Sequence, residues 1–299
     1  MRVALSFLFL WSQTGGCCNG ATKRERESSQ PISAKKGPII EPVAVSDLMI
    51  DENLRVDCQV RMYRCISLLG RGSTSEVFLV TRGNENEYFA LKKAKKELFD
   101  SRELEAYTAV VGLRGFPKLL ESFEEDQFVY LVMTLVGKSI ETLRTPGGRL
   151  VKLSDETVGS IGLQLVDRLE TLHSVGFAHL DAYPNNLAVG IGAEGLKELF
   201  LIDFGEARSI TGDRRLADIQ SLSHSVLQLL VPGTPYGDFK HYQDSGISID
   251  EMCRGLPEPV FKLFKYSHIT LGFSDNIDYQ FIRNLLKKIT PNYSGILIW

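Results

Sequence analysis

Two periods of apolar residues run along this chain, and the change from one to the other divides it. Between Arg61 and Met133 the apolar residues fall in short β-prone runs: Tyr63 to Leu69, Val77 to Val80, Tyr88 to Lys92, Leu119 to Phe123 and Phe128 to Met133. Such runs, bounded by a Gly-rich break and by the turn signal Arg82-Gly83-Asn84, read as strands. One stretch of helical composition interrupts them, Ser101 to Val111, with Ser101 as its N-cap. After Ser154 the spacing becomes three and four. Val158, Ile161, Leu165, Leu169 and Leu172 then share one face of a long helix. Further helices are expected over Asp218 to Leu230, Pro257 to His268 and Tyr279 to Lys288, and short strands over Leu187 to Val189 and Leu199 to Ile202. The pattern predicts an α+β fold of two lobes, a small one of five strands and one helix followed by a larger, mainly helical one.

The first residues carry a different signal. Arg2 gives a basic start, Val3 to Trp11 is apolar apart from Ser6, and small and polar residues lead to Cys18-Asn19-Gly20-Ala21. This is the layout of a secretory signal over residues 1–20, with cleavage after Gly20 or Gly16, and it points to the secretory pathway or secretion. A buried N-terminal strand or a misplaced start codon are the alternatives, and the chain is cytoplasmic if the signal is not used. The run is too short for a membrane span, and no other apolar run reaches that length. Residues 21–40 mix Lys, Arg and Glu with Ser, Pro and Gly and read as a tether. The boundaries drawn are a linker or N-terminal extension over 21–55, a small lobe over 56–136 and a large lobe over 137–299.

Composition narrows the function classes. At 43% apolar and 24% charged residues the chain is globular, and its net charge of −3 argues against a broad nucleic-acid-binding surface. Five cysteines in 299 residues are too sparse for a disulfide scaffold. Removal of the signal leaves Cys58, Cys65 and Cys253. Cys58 and Cys65 can pair only if the chain turns between them, and the sequence shows no turn signal there.

Four elements, in order, suggest phosphoryl transfer. Gly70-Arg71-Gly72-Ser73-Thr74-Ser75 lies between two strands, where glycines let a backbone approach phosphates closely; a plain hairpin turn is the simpler reading of this element alone. Lys92 follows in a buried strand, where its charge needs partners: phosphate oxygens and a helix carboxylate, Glu103 or its rival Glu105. His179-Leu180-Asp181-Ala182-Tyr183-Pro184-Asn185-Asn186 then sets a carboxylate and a carboxamide five residues apart in a loop. Asp181 there suits deprotonation of a hydroxyl, and Asn186 suits Mg²⁺ through oxygen. Asp203-Phe204-Gly205 follows a strand and offers a second metal-binding carboxylate. Each of these is weak alone; together they match the protein-kinase signature set.

From Tyr63 to Trp299 the chain resembles a protein kinase, and specifically the casein kinase 1 group, which includes the tau-tubulin and vaccinia-related kinases. The group-level cues are Ala106-Tyr107 through Gly115-Phe116-Pro117, Val132 to Ile140 (VMTLVGKSI), Leu172-His173-Ser174, and Gly255-Leu256-Pro257-Glu258-Pro259-Val260 with Asp278-Tyr279. The resemblance implies a bilobal fold with a small antiparallel-sheet N-lobe, a helical C-lobe and ATP in the cleft. It implies that Gly70, Gly72 and Ser75 cover the phosphates, that Val77 and Ala90 belong to the nucleotide site, and that Lys92 contacts the α- and β-phosphates while paired with Glu103. Met133 becomes the gatekeeper and Leu135 the hinge contact to adenine. Asp181 becomes the catalytic base, Asn186 and Asp203 the Mg²⁺ ligands, and Asp218 the brace of the catalytic loop. The partners implied are ATP and a protein substrate or binding partner that the sequence does not identify.

The departures are as informative. The usual His-Arg-Asp reads His179-Leu180-Asp181, so the arginine that reads a phosphorylated activation loop is absent. Tyr183 stands where serine/threonine kinases carry a lysine. Asp218 follows Asp203 by only fifteen residues, about half or less of the usual spacing, so the peptide-docking part of the activation segment is missing. An omitted exon would leave the same spacing. Three readings stay open: an active serine/threonine kinase, a pseudokinase that binds a partner, and a kinase for a small molecule.

Overall fold

The computed structural model describes residues 55–83, 87–211, 213–231, 248–272 and 276–297, all within one unit that spans Glu41–Trp299. The proposed signal, the tether and Asn84 of the predicted turn lie outside the described residues.

The small lobe is an antiparallel sheet of β1 (Arg55–Val60), β2 (Tyr63–Arg71), β3 (Ser75–Arg82), β4 (Tyr88–Lys95), β5 (Leu119–Glu125) and β6 (Phe128–Thr134). The spatial order is β1-β2-β3-β4-β6-β5. Five of these strands match the runs read from the sequence. The sixth, β1, corrects the expected five; it begins in what was read as extension, because its short charged run Arg55–Val60 carries no alternation long enough to stand out. Side chains alternate across the sheet. Tyr63, Cys65, Phe78, Val80, Phe89, Leu91, Phe123, Tyr130 and Val132 form an aromatic-rich cluster on one face. The opposite face carries Val77, Ala90, Lys92 and Met133.

Helix α1 (Ser101–Ala109) runs between β4 and β5. Its N-cap is Asp100, whose carboxylate accepts from the Arg102 N–H, and not Ser101 as expected. Asp and Ser are near-equal caps, so composition alone does not choose between neighbours. The helix also stops two residues short of Val111.

The large lobe begins with α2 (Ile140–Leu143) and is organised by α3 (Asp155–Ser174). Ser154 caps α3 by accepting from Thr157 N–H, and Asp155 and Glu156 complement the dipole in its first turn. Its face of Val158, Ile161, Leu165, Leu169 and Leu172 is wholly buried. Two glycines let a neighbour come close: a Cβ on Gly159 would sit 2.8 Å from Thr290 and one on Gly162 would sit 2.9 Å from Leu286. Around α3 stand β7 (Phe177–Ala178), β8 (Leu187–Val189), α4 (Gly192–Gly195), β9 (Leu199–Leu201), β10 (Arg208–Ser209), α5 (Arg214–Leu230), α6 (Ile249–Met252), α7 (Glu258–Lys265) and α8 (Tyr279–Ile289). The helix expected over Pro257 to His268 is two pieces, α7 and a π-helical turn over Tyr266–Thr270. Among the described residues no helix is long and apolar enough to cross a membrane.

Candidate active site

Strand register assembles one wall of the site. In the β3–β4 ladder Val77 stands opposite Lys92, and in the β4–β6 ladder Lys92 faces Leu131 while Ala90 faces Met133. Directly opposed residues point the same way, as do residues two apart along a strand. Val77, Ala90, Lys92, Leu131 and Met133 therefore share one sheet face. Leu135 lies half-buried just past β6.

The β2–β3 hairpin overhangs this wall. Gly72 N–H donates to Ser75 carbonyl at 2.8 Å, and exposed Arg71 and Glu76 form an ion pair at 2.7 Å across the turn. Neither Gly70 nor Gly72 has a left-handed φ. A Cβ at Gly70 would meet nothing within 4 Å, and one at Gly72 would meet only Ser75 at ordinary contact distance. The hairpin's own packing does not require these glycines. They leave open space along the hairpin, which suits close approach of a phosphate to the backbone.

Lys92 is the centre of charge. Its Nζ lies 2.5 Å from Glu103 Oε1 and 2.8 Å from Asp203 Oδ1. Of the two carboxylates proposed for it, Glu103 is the buried one, while Glu105 is exposed. Burial alone would strip the charge from Lys92, but the carboxylates of Asp203 and Glu103 reverse this and hold its pKa above the ordinary lysine value. The cluster carries two carboxylates for one ammonium. Burial pushes the carboxyl of Glu103 up against the pull of Lys92. For half-exposed Asp203 the attraction of Lys92 outweighs burial and holds its carboxyl below the usual range.

The loop after β7 brings in the remaining groups. Asn186 Nδ2 donates to Asp181 at both the backbone carbonyl, 2.9 Å, and the carboxylate Oδ2, 2.6 Å. The 3-10 turn Pro184–Asn186 sets that reach, with Asn186 N–H donating to Tyr183 carbonyl. Burial pushes the Asp181 carboxyl up to about 6; Asn186 works against this, and the nearby charges of Asp203 and Glu206 add to it. Tyr183 is half-buried in the same turn.

Asp218 holds the loop from beneath. Its fully buried carboxylate accepts from His179 N–H at 2.8 Å, from Leu180 N–H at 2.7 Å and from His173 Nε2 at 2.8 Å. Those bonds hold Leu180 at a left-handed φ of 65°; Asp203 has φ 62°. Non-glycine residues in that region are uncommon, and such strain persists only where the surroundings enforce it. Burial holds His179 neutral, and its partners assign the tautomer: Nε2–H donates to Ile202 carbonyl at 3.0 Å and Nδ1 accepts from Asp181 N–H at 3.3 Å.

Three contributions were not legible as roles in the sequence. Tyr107 Oη accepts from Asp203 N–H at 3.3 Å, and its ring meets Phe204 edge-on at 4.6 Å between centroids. His173 reaches Tyr279 at 2.5 Å while it supports Asp218. Arg208 donates to the carbonyls of Gly205 and Ala207 and lies 3.6 Å from Asp100, which ties the segment after Phe204 to the start of α1. Tyr107 and His173 were visible only as group-level cues, and nothing local marks Arg208.

The oxygen donors fit Mg²⁺ in one particular way. Asn186 and Asp203 offer a carboxamide and a carboxylate. Among the described residues no group of three or more His, Cys, Asp or Glu is placed to cage a metal. Magnesium characteristically takes one or two protein oxygens and completes its shell with water and substrate phosphates. The donor set therefore suits a metal that is shared with a phosphate ligand.

Comparison with known proteins supplies the family. The model of the protein kinase domain matches residues 63–226. Casein kinase I homolog 3 of Schizosaccharomyces pombe is 25% identical over 273 residues, covering 76% of this chain and 62% of that protein. A Caenorhabditis elegans protein named as a candidate casein kinase I is 30% identical over 149 residues, covering 47% of this chain and 43% of its own. The chain thus spans less than two thirds of the length of either relative. On its matched domain and these relatives, the chain belongs to the protein kinase family, as a divergent member of the casein kinase 1 group.

Proposed function

We propose that this chain is an ATP-dependent phosphotransferase that moves the γ-phosphate of ATP to a serine or threonine hydroxyl of a protein. The observation that carries the reading is Lys92 held between Glu103 and Asp203, a cation fixed by one helix carboxylate and one metal-ligand candidate. Gly70, Gly72 and Ser75 cover the phosphates. Val77, Ala90, Met133 and Leu135 take the adenine, and Lys92 takes the α- and β-phosphates. Asn186 and Asp203 hold Mg²⁺, which when bound offsets phosphate charge. Asp181 accepts the proton of the attacking hydroxyl. A carboxylate with a pKa of about 6 is a stronger base than an ordinary aspartate and is still mostly ionised at neutral pH.

The segment after Phe204 is already pinned. Ile210 N–H donates to Gly176 carbonyl at 2.8 Å, and Arg208 joins it to Asp100. With Leu180 in place of the usual arginine, this reading gives a kinase that needs no phosphate on its activation segment. The short bridge from Asp203 to Asp218 and the uncharged Tyr183 favour a second reading, a pseudokinase that binds a partner without turnover. Placement in the secretory pathway is part of the same proposal. It is supported by the apolar run Val3 to Trp11, and N-terminal sequencing of secreted, C-terminally tagged chain tests it.

The function is tested by thermal melts with and without Mg²⁺ and ATP, beside Asp203→Ala. Ligand at about a hundredfold above its Kd stabilises by about 2.7 kcal/mol, a shift of several degrees for a domain of this size. The kinase reading expects a magnesium-dependent shift that Asp203→Ala loses. No shift in a folded protein favours the binding scaffold.

A further inference from the structure

The chain does turn between Cys58 and Cys65. Arg61, at a left-handed φ of 52°, and Met62 close a tight hairpin, and the returning strand sets Cys65 directly opposite Cys58. Opposed residues of an antiparallel pair share a face, with Cα atoms about 4.5–5.5 Å apart. A disulfide spans Cα separations of roughly 4.4–6.8 Å, a range that includes this spacing, and closing it draws the Cβ atoms together by about 1 Å. Both thiols are free in this structure. Cys65 is buried in the aromatic cluster, and half-buried Cys58 packs against that cluster from β1. This is the sheet face opposite Lys92.

Position gives the pair a consequence. The kinase-domain match begins at residue 63, so Cys58 lies before it and Cys65 within it. Strand β1 is the sheet's edge, joined through β2 alone. We infer that Cys58 and Cys65 form a reversible cross-strand disulfide that fastens β1, and with it the root of the N-terminal extension, to the kinase sheet. An oxidising compartment would keep it closed and a reducing one would keep it open.

The chemistry balances with a disulfide oxidant such as oxidised glutathione. The thiolate of Cys58, the more accessible sulfur, attacks one glutathione sulfur and expels a glutathione thiolate. Cys65, once deprotonated, attacks the Cys58 sulfur of the mixed disulfide and expels the second. Two protein thiols lose two electrons and two protons, and two reduced glutathiones leave. Burial holds the Cys65 thiol in its protonated form, so ring closure speeds up as pH rises. Cys253 lies buried in the large lobe, where burial pushes its thiol up to about 11. It takes no part.

The test is chemical and independent of whether the cleft transfers phosphate. The full chain is equilibrated in glutathione buffers of graded ratio, open thiols are blocked with N-ethylmaleimide, and tryptic peptides are mapped. The expected product is peptide 56–61 linked to peptide 65–71, lighter by two hydrogens and separated by dithiothreitol. Maleimide labelling of both residues should fall about tenfold for each roughly 30 mV above the midpoint, as a two-electron couple requires. C65S should stop at glutathione bound to Cys58, and C58A should keep the melting temperature of the reduced protein. Labelling of both cysteines under oxidising buffer, a Cys58–Cys58 link between two chains, or capture of Cys58 by Cys17 or Cys18 would each overturn the inference.

Discussion

Asp218 is the residue whose removal should do most damage for its size. Asp218→Ala takes away a fully buried carboxylate that accepts from two backbone N–H groups and from His173. The N–H groups of His179 and Leu180 are then left without that acceptor. Each unsatisfied buried donor costs about 1–3 kcal/mol, and breaking a buried charged network typically costs about 3–5 kcal/mol in all. Leu180 is held at φ 65°, and release of that strain returns about 1–2 kcal/mol. The net loss is then about 1–4 kcal/mol. At about 2–4 °C per kcal/mol for a domain of this size, the melting temperature should drop by about 2–16 °C. Asp218→Asn keeps one acceptor and turns an amide donor towards the other N–H, so it should fall between the two. Thermal melts supply the magnitude, and hydrogen exchange at the His179 and Leu180 amides locates it. A variant that melts within about 2 °C of the parent, with both amides still protected, would refute the reasoning.

Three further predictions concern the cleft. Active Asp181 is the ionised form, and its pKa is raised to about 6, so kcat/KM should climb tenfold per pH unit up to about 6 and then level off; an acid limb near pH 4 would remove Asp181 from that role. Lys92→Met removes the cation that Glu103 and Asp203 share and should cut transfer by about a hundredfold or more, measured as labelled phosphate incorporated; a fully active variant would contradict it. Tyr183→Lys puts a cation two residues after Asp181 and should raise transfer by about tenfold or more; an unchanged rate in a folded variant would show that the missing charge is not limiting.

The legible parts of this protein are those whose signal is local. The strands from Tyr63 onward, the capped helix Asp155–Ser174 and the four motifs each carry their pattern within a few residues. The motifs were also placed in the right elements, and Lys92, Glu103 and Asp203 do meet. The missed parts depend on partners distant in sequence. Strand β1 forms because β2 offers it an edge, and that pairing also brings Cys58 to Cys65. Arg208 acts by reaching Asp100, more than a hundred residues earlier. Tyr107 supports Asp203 through a phenol whose own surroundings look like ordinary helix core. The cap of α1 moved by one residue because two good capping residues stand side by side.

The central claim is that this cleft moves the γ-phosphate of ATP with Asp181 as base. The most direct measurement incubates wild type and Asp181→Asn with magnesium, γ-labelled ATP and a panel of proteins rich in exposed serine and threonine, and counts label on those proteins and on the chain itself. The account predicts incorporation by the wild type and its loss in Asp181→Asn, with the magnesium–ATP melting shift kept in both. Equal incorporation by both proteins, or none by a wild type that shows the shift, would contradict it.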